Sequence, residues 1–132
     1  MQVLGVALLI TLLDQGSKFL IRQYMLLHES IPVLPGFFHI TYILNKGAAF
    51  GILENQRWIF LAIAALLFGT CFFFRHKLPQ SLVAQAGIGL LLGGALGNAL
   101  DRFWRGAVTD FFDFRIWPVF NIADIGIVTG VA

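Results

Sequence analysis

Charge is what this chain has least of: nine Lys/Arg and seven Asp/Glu make up 12% of its 132 residues, against about one quarter in soluble domains. That shortage excludes an ordinary soluble domain, and with it a disordered, collagen-like or coiled-coil chain. Cysteine is nearly absent. Cys71 is the single one, which excludes an internal disulfide and a cysteine-rich metal site, and its place among phenylalanines in an apolar run reads as an inert core thiol. His28, His39 and His76 lack the spacing of metal ligands and read as surface or interfacial side chains. Ser17, Ser30 and Ser81 have no glycine-flanked elbow of the kind that activates a serine nucleophile. The net charge of +2 is too small and too scattered for a nucleic-acid footprint. What the chain does have is apolar surface: 58% of its residues are hydrophobic and the mean hydropathy is +0.83. The bilayer is the expected solvent.

A membrane-crossing helix needs about 20 mostly apolar residues, and three blocks meet that need: 1–22, 58–74 and 82–100. A cleavable signal peptide is set aside for the first, which lacks a basic start and is interrupted by Asp14, Lys18 and Arg22. A fourth block, 120–132, has about a dozen residues, enough for roughly 18 Å of a hydrocarbon core about 30 Å thick. It is expected to be a span cut short at Ala132, its remainder lying in residues beyond. Arg75, His76, Lys77 and Pro79 break the second block from the third in a tight basic turn. Residues 23–57 alternate Phe38, Ile40, Tyr42 and Leu44 with Phe37, His39, Thr41 and Ile43, a strand pattern in a loop outside the membrane. Residues 101–119 form a second loop on that face, with Trp104, Trp117 and the Phe103–Phe114 aromatics suited to the headgroup zone. The expected fold is an all-α polytopic membrane protein, a single four-helix transmembrane bundle over residues 1–132 with a small β-like extramembrane region.

Carboxylates in such an apolar chain need a partner or a task. Asp14, Lys18 and Arg22 follow one another at successive helical turns, and the pattern reads first as an ion pair that lets a helix end cross the interface. Gly89, Gly93 and Gly97 make a small-residue strip for close helix packing. Gly94, Asn98, Asp101 and Arg102 follow on an adjoining stripe, where Asp101 and Arg102 by themselves read as a solvated helix end. Asp110 and Asp113 flank Phe111-Phe112. Asn121 reads as a helix cap, and Asp124 falls in the first turns of an apolar helix with no neighbouring base. If Asp110 folds back to Asp124, two carboxylates could share one proton and activate water, as in aspartic proteolysis. This is one candidate pair among five aspartates.

Five motifs stand in one order: Asp14-Gln15-Gly16-Ser17-Lys18, Asn45-Lys46-Gly47-Ala48-Ala49-Phe50, the run from Gly93 through Asn98 to Asp101-Arg102, Val108-Thr109-Asp110-Phe111, and Phe120-Asn121-Ile122-Ala123-Asp124. In them the chain resembles the bacterial lipoprotein signal peptidases (signal peptidase II). The resemblance implies a four-helix aspartyl endopeptidase of the bacterial inner membrane. Such an enzyme removes the signal peptide of a diacylglyceryl-modified prolipoprotein just before the lipidated cysteine. It works without metal or cofactor, among membrane lipids, and meets globomycin-type peptide inhibitors. The resemblance carries the catalytic pair onto Asp110 and Asp124, and supporting roles onto Asp14, Lys18, Asn45, Gly94, Asn98, Arg102 and Asn121. It places the active site and both loops on the extracytoplasmic face. Counting bases alone gives the opposite orientation, because Lys46, Arg57, Arg102, Arg105 and Arg115 lie on the loop face and only Arg75 and Lys77 on the other.

Two other classes compete. A small proton- or ion-coupled transporter would use Asp14, Lys18 and Asp124 inside the membrane, but it would want them near mid-bilayer rather than gathered at helix ends. A non-catalytic subunit assembled through the glycine strip accounts for Gly89, Gly93 and Gly97 and leaves Asp110 and Asp124 without a task.

Overall fold

The computed structural model describes residues 2–47 and 54–132. Met1, Ala48, Ala49 and Phe50, which the sequence reading drew on, lie outside the described residues. The element order is α1 (Gln2–Tyr24), β1 (Ser30–Leu34), β2 (Phe38–Asn45), α2 (Arg57–Phe73), a 3-10 turn (Arg75–Lys77), α3 (Leu82–Arg105), β3 (Val108–Asp113) and α4 (Ile122–Val131). The four apolar blocks are the four helices. α1 and α3, with 23 and 24 residues, are long and apolar enough to cross a membrane, while α2 and α4 are shorter apolar helices.

Burial runs inside out. The largest fully buried side chains are Lys18, Asn121, Thr109, Asp14, Asp101 and Asp110, whereas Leu8, Leu12, Ile63, Leu66 and Phe73 are exposed. α2 buries no residue at all. In water such a surface would be unstable, and in hydrocarbon it is the ordinary outer face of a bundle. The chain is a membrane protein built around a polar interior.

α3 is the axis on which α1, α2 and α4 pack. Its glycine strip is the seam with α1: a Cβ on Gly89 would fall 2.7 Å from Val6 Cβ, one on Gly93 would fall 2.6 Å from the Ala7 carbonyl oxygen, and one on Gly97 would strike the Asp14 carboxylate. Gly94 serves the opposite side, where a Cβ would strike the Ala123 carbonyl of α4 and Ile127. These glycines let two helices lie against α3 at backbone distance, with no left-handed torsion required of them. Gly106 is different. With φ of +74° it ends α3 in a left-handed cap, its N–H donating to the Arg102 carbonyl.

The alternating segment forms β2 as its pattern requires, and β1 pairs with it antiparallel, Ile31 opposite Ile40. Pro32 is tolerated because β1 is an edge strand. The second loop departs from expectation. Residues 101–105 continue α3, since Phe103 and Trp104 extend its apolar face, and 108–113 form β3, antiparallel to β2 with Ile40 opposite Phe112 and Ile43 opposite Asp110. β3 escapes a sequence reading because it is buried on both faces, so no polar–apolar alternation marks it.

Candidate functional site

Two connected sets of polar side chains fill the sheet-side end of the bundle. The first is centred on Lys18, fully buried on α1. Its Nζ lies 2.7 Å from Asp14 Oδ2 and 3.1 Å from Asp101 Oδ2, and donates to Asn98 Oδ1 at 3.1 Å. The turn-by-turn spacing on α1 extends the set, with Arg22 donating to Thr109 Oγ1 at 3.1 Å and lying 3.9 Å from Asp101 Oδ1. Each carboxylate then holds a second element. Asp14 Oδ1 accepts from the Ala123 N–H of α4 at 2.9 Å, and Asp101 Oδ2 accepts from the Thr109 N–H of β3 at 3.0 Å. Gln15 Nε2 closes the set on Asp14, Asp101 and the Gly97 carbonyl. Asp101 is therefore no solvated helix end but a buried anchor for β3, one residue before Asp110. Sequence reasoning read Asp101 as a solvated end and gave Thr109 and Gln15 no role of their own, because the groups they meet lie on other elements.

The second set holds the two aspartates of the sequence pair. Asn121 caps α4: its Oδ1 accepts from the Asp124 N–H at 2.8 Å, and Asp124 Oδ2 accepts from the Asn121 N–H at 3.2 Å. The Asn121 Nδ2 turns inward to Asp110 Oδ1 at 2.7 Å, Asn98 Oδ1 at 3.1 Å and the Thr109 carbonyl at 3.2 Å. Asn98 Nδ2 donates to Asp124 Oδ1 at 2.9 Å. Asn121 and Asn98 thus join both aspartates to each other and to Lys18. The Asn45 side chain also hydrogen-bonds Asp110.

Asp110 and Asp124 line one cavity of about 230 Å³ together with Asn45, Asn98, Arg102 and an apolar wall that includes Trp117, Phe120 and Ile127. Arg102 lies over the Phe60 ring, 4.1 Å from its centroid, interacts electrostatically with Asp124, Asp110 and Asp101, and reaches the Gly47 carbonyl at 3.4 Å. Burial, and then repulsion by the Asp124 carboxylate, push the Asp110 carboxyl up to about 8, well above its ordinary 3.8. Asp113 goes the other way. Its burial, which raises it, is outweighed by the combined hydrogen bonds from Thr41 Oγ1 and from the Arg115 backbone and guanidinium, with the Arg115 charge, which together hold it below the usual carboxylate range. β3 separates the two because Asp113, three positions on from Asp110, falls on the opposite face of the strand, where it is tied to Thr41 and Arg115 and not to the aspartate cavity.

All nine positions carried over by resemblance lie in or against these two sets, Gly94 through the close packing of α3 on α4. No cluster of His, Cys, Asp and Glu among the described residues could hold a metal ion, and no buried polar side-chain atom among them lacks a hydrogen-bond partner. The arrangement sets two acids side by side, with Asp110 holding its proton more tightly than an ordinary carboxyl. With an apolar wall facing them, that pair suits general acid–base attack of water on an amide.

Residues 6–132 match the family Peptidase_A8, signal peptidase (SPase) II. The lipoprotein signal peptidase of Halothermothrix orenii is 45% identical over 127 residues, 96% of this chain and 88% of that protein. That of Moorella thermoacetica is 46% identical over 132 residues, 99% of this chain and 88% of the relative. Two solved structures of a bacterial membrane enzyme, obtained by the in meso method, superpose with TM-scores of 0.91 and 0.85 at 36% and 37% identity. Each matches 98% of this chain, and 82% and 86% of the respective structures.

Proposed function

The chain belongs to the signal peptidase II family of aspartic peptidases, and from that premise we propose that Asp110 and Asp124 are its catalytic pair, acting on a diacylglyceryl-modified prolipoprotein. The observation that carries the reading is the shared cavity, in which Asn121 and Asn98 bring the two carboxylates together. Asp124 takes a proton from water as the water oxygen bonds to the scissile carbonyl carbon, and Asp110 gives its proton to the carbonyl oxygen. In the return step the C–N bond breaks, Asp124 delivers its proton to the leaving nitrogen, and Asp110 recovers one from the tetrahedral hydroxyl. The competing transporter reading has no support in the relatives, and Asp14 and Lys18 are closed on each other and on Asp101 rather than open to a path.

Asp110 as the acid sets a pH dependence. Its folded-state pKa is raised, so the proton is present below about 8 and lost as pH climbs through that value. Turnover should fall on the alkaline side with a midpoint near 8. Infrared difference spectra should show a protonated carboxyl band disappearing over the same range, and absent from Asp110→Asn. A carboxyl band that vanishes near pH 4 would remove Asp110 as the proton holder.

The same family reading supports four membrane-crossing helices in a bacterial inner membrane with the sheet end extracytoplasmic. Two of the bases counted on that face, Arg102 and Arg115, are engaged with protein groups, which weakens their weight in a positive-inside count. Beside the cavity the rings of Phe37, Phe38, Phe112, Phe114 and Phe120 form one stacked and edge-on cluster, an apolar surface suited to acyl chains. Two buried methylenes, at about 0.8 kcal/mol each, already amount to about tenfold in binding. Lipidated precursor should therefore be cut at least about tenfold faster than unlipidated precursor in the same detergent. Equal rates would sink both the lipid role and the substrate assignment.

A further inference from the structure

The remote end of the bundle contains a larger cavity. About 400 Å³ in volume, it is lined by Leu4, Ala7, Phe68, Cys71, Arg75 and Leu92, among others, within the range of about 300–1,000 Å³ typical of sites for small ligands. It arises from packing: α1 and α2 both lie on α3 but scarcely touch each other, so a cleft stays open between them. Cys71, expected in a core, is instead half-exposed in its wall.

The cleft is apolar along its length and basic at one end. Arg75 stacks on Phe72, its guanidinium carbon 4.3 Å from the ring centroid. One guanidinium nitrogen donates to the Phe72 carbonyl at 2.8 Å, which leaves most of the five guanidinium donors available. Lys77 lies beside it over Phe74. No Asp or Glu side chain among the described residues competes there. Asp14 sits at the middle of α1, Asp101 near the end of α3 and Asp124 in the first turn of α4, while Glu29, Glu54, Asp110 and Asp113 belong to the sheet-side connections. An apolar slot with an unopposed base at its mouth, set at a helix end, matches one amphiphile of the bilayer: an acyl chain below and a phosphate above.

We propose that the cleft between α1 and α2 is a binding site for an anionic phospholipid, one acyl chain lying against Phe68, Cys71 and Leu92 and the headgroup phosphate at Arg75. The site is separate from the aspartate cavity and independent of the catalytic assignment. It binds bilayer lipid, not precursor.

Phe72→Trp places a fluorophore in the cleft wall, with Trp58, Trp104 and Trp117 at the sheet end as reference. In nanodiscs at low salt, phosphatidylglycerol with brominated chains should quench the new fluorophore at a concentration about fivefold lower than brominated phosphatidylcholine, the preference expected from one base near the headgroup. Added Arg75→Gln should abolish the preference, Arg75→Lys should keep it, and neither should alter cleavage of lipidated precursor. Native mass spectrometry of the unsubstituted protein gives a second reading, with phosphatidylglycerol retained after phosphatidylcholine has been stripped. Equal quenching and equal retention of the two lipids would overturn the site, and a preference that survives Arg75→Gln would overturn the headgroup assignment.

Discussion

Asp110→Asn and Asp124→Asn are each expected to lower the turnover of lipidated precursor at least about a hundredfold, the low end of what a general acid or base contributes. The asparagine keeps the geometry. Asn121 Nδ2 can still donate to an amide oxygen at position 110, and an amide oxygen at 124 can still accept from Asn98 or from the Asn121 N–H. Loss of turnover with an unchanged melting temperature is therefore the expected signature. Asp113→Asn is the control, since Asp113 serves Thr41 and Arg115 and does not line the aspartate cavity, and it should retain most activity. A dead Asp113→Asn beside a near-normal Asp110→Asn would invert the assignment. Asn121→Ala should fall between these, because it removes the α4 cap and the link between the aspartates together.

The second large effect is on stability, and it is unequal among the members of the Lys18 set. Lys18 faces two carboxylates, Asp14 and Asp101, at 2.7 and 3.1 Å, all three side chains being essentially inaccessible. Lys18→Met leaves two buried carboxylates without their shared cation, and removing one partner of a buried pair costs about 3–5 kcal/mol. Asp14→Asn leaves the Lys18–Asp101 pair intact and lets the amide oxygen still accept from Lys18 or Ala123, so it should cost clearly less. Replacing Asp14 and Lys18 together recovers only part of the loss, because Asp101 then depends on Arg22 at 3.9 Å, with the Thr109 N–H and Gln15 as its neutral partners. Thermal unfolding of the three variants in one detergent tests the order: Lys18→Met lowest, the double replacement between, Asp14→Asn highest. Equal melting temperatures would show that the set is not a structural clamp.

The helices could be read directly. Apolar runs determine where helices form, because an unpaired backbone cannot lie in lipid; each of the four blocks contains a helix, and α3 alone runs clearly past its expected limit, to Arg105. The glycine strip announced a close helix contact, and the alternation at 38–44 announced β2 for the same local reason: spacing along the chain determines which face a side chain occupies. Asn121 as a cap was also local, since its partner is Asp124 three residues on.

The pairing of distant groups lay beyond that reading. Asp101 looked like a solvated helix end because the Lys18 that neutralises it is on α1 and the Thr109 N–H that it accepts from is on β3. Asp110 could be named as a candidate partner of Asp124, but spacing alone could not show that the two share a cavity. Cys71 looked buried because a sequence does not say that α1 and α2 leave a cleft. The residues by themselves determined a membrane bundle with carboxylates it had to accommodate, and their motif order pointed to the family. Only the tertiary structure decided which carboxylate meets which partner. Hydrocarbon length and helical period act between neighbours in the chain, whereas desolvation and Coulomb interaction depend on distances that exist only after α1, α3, α4 and β3 have packed together.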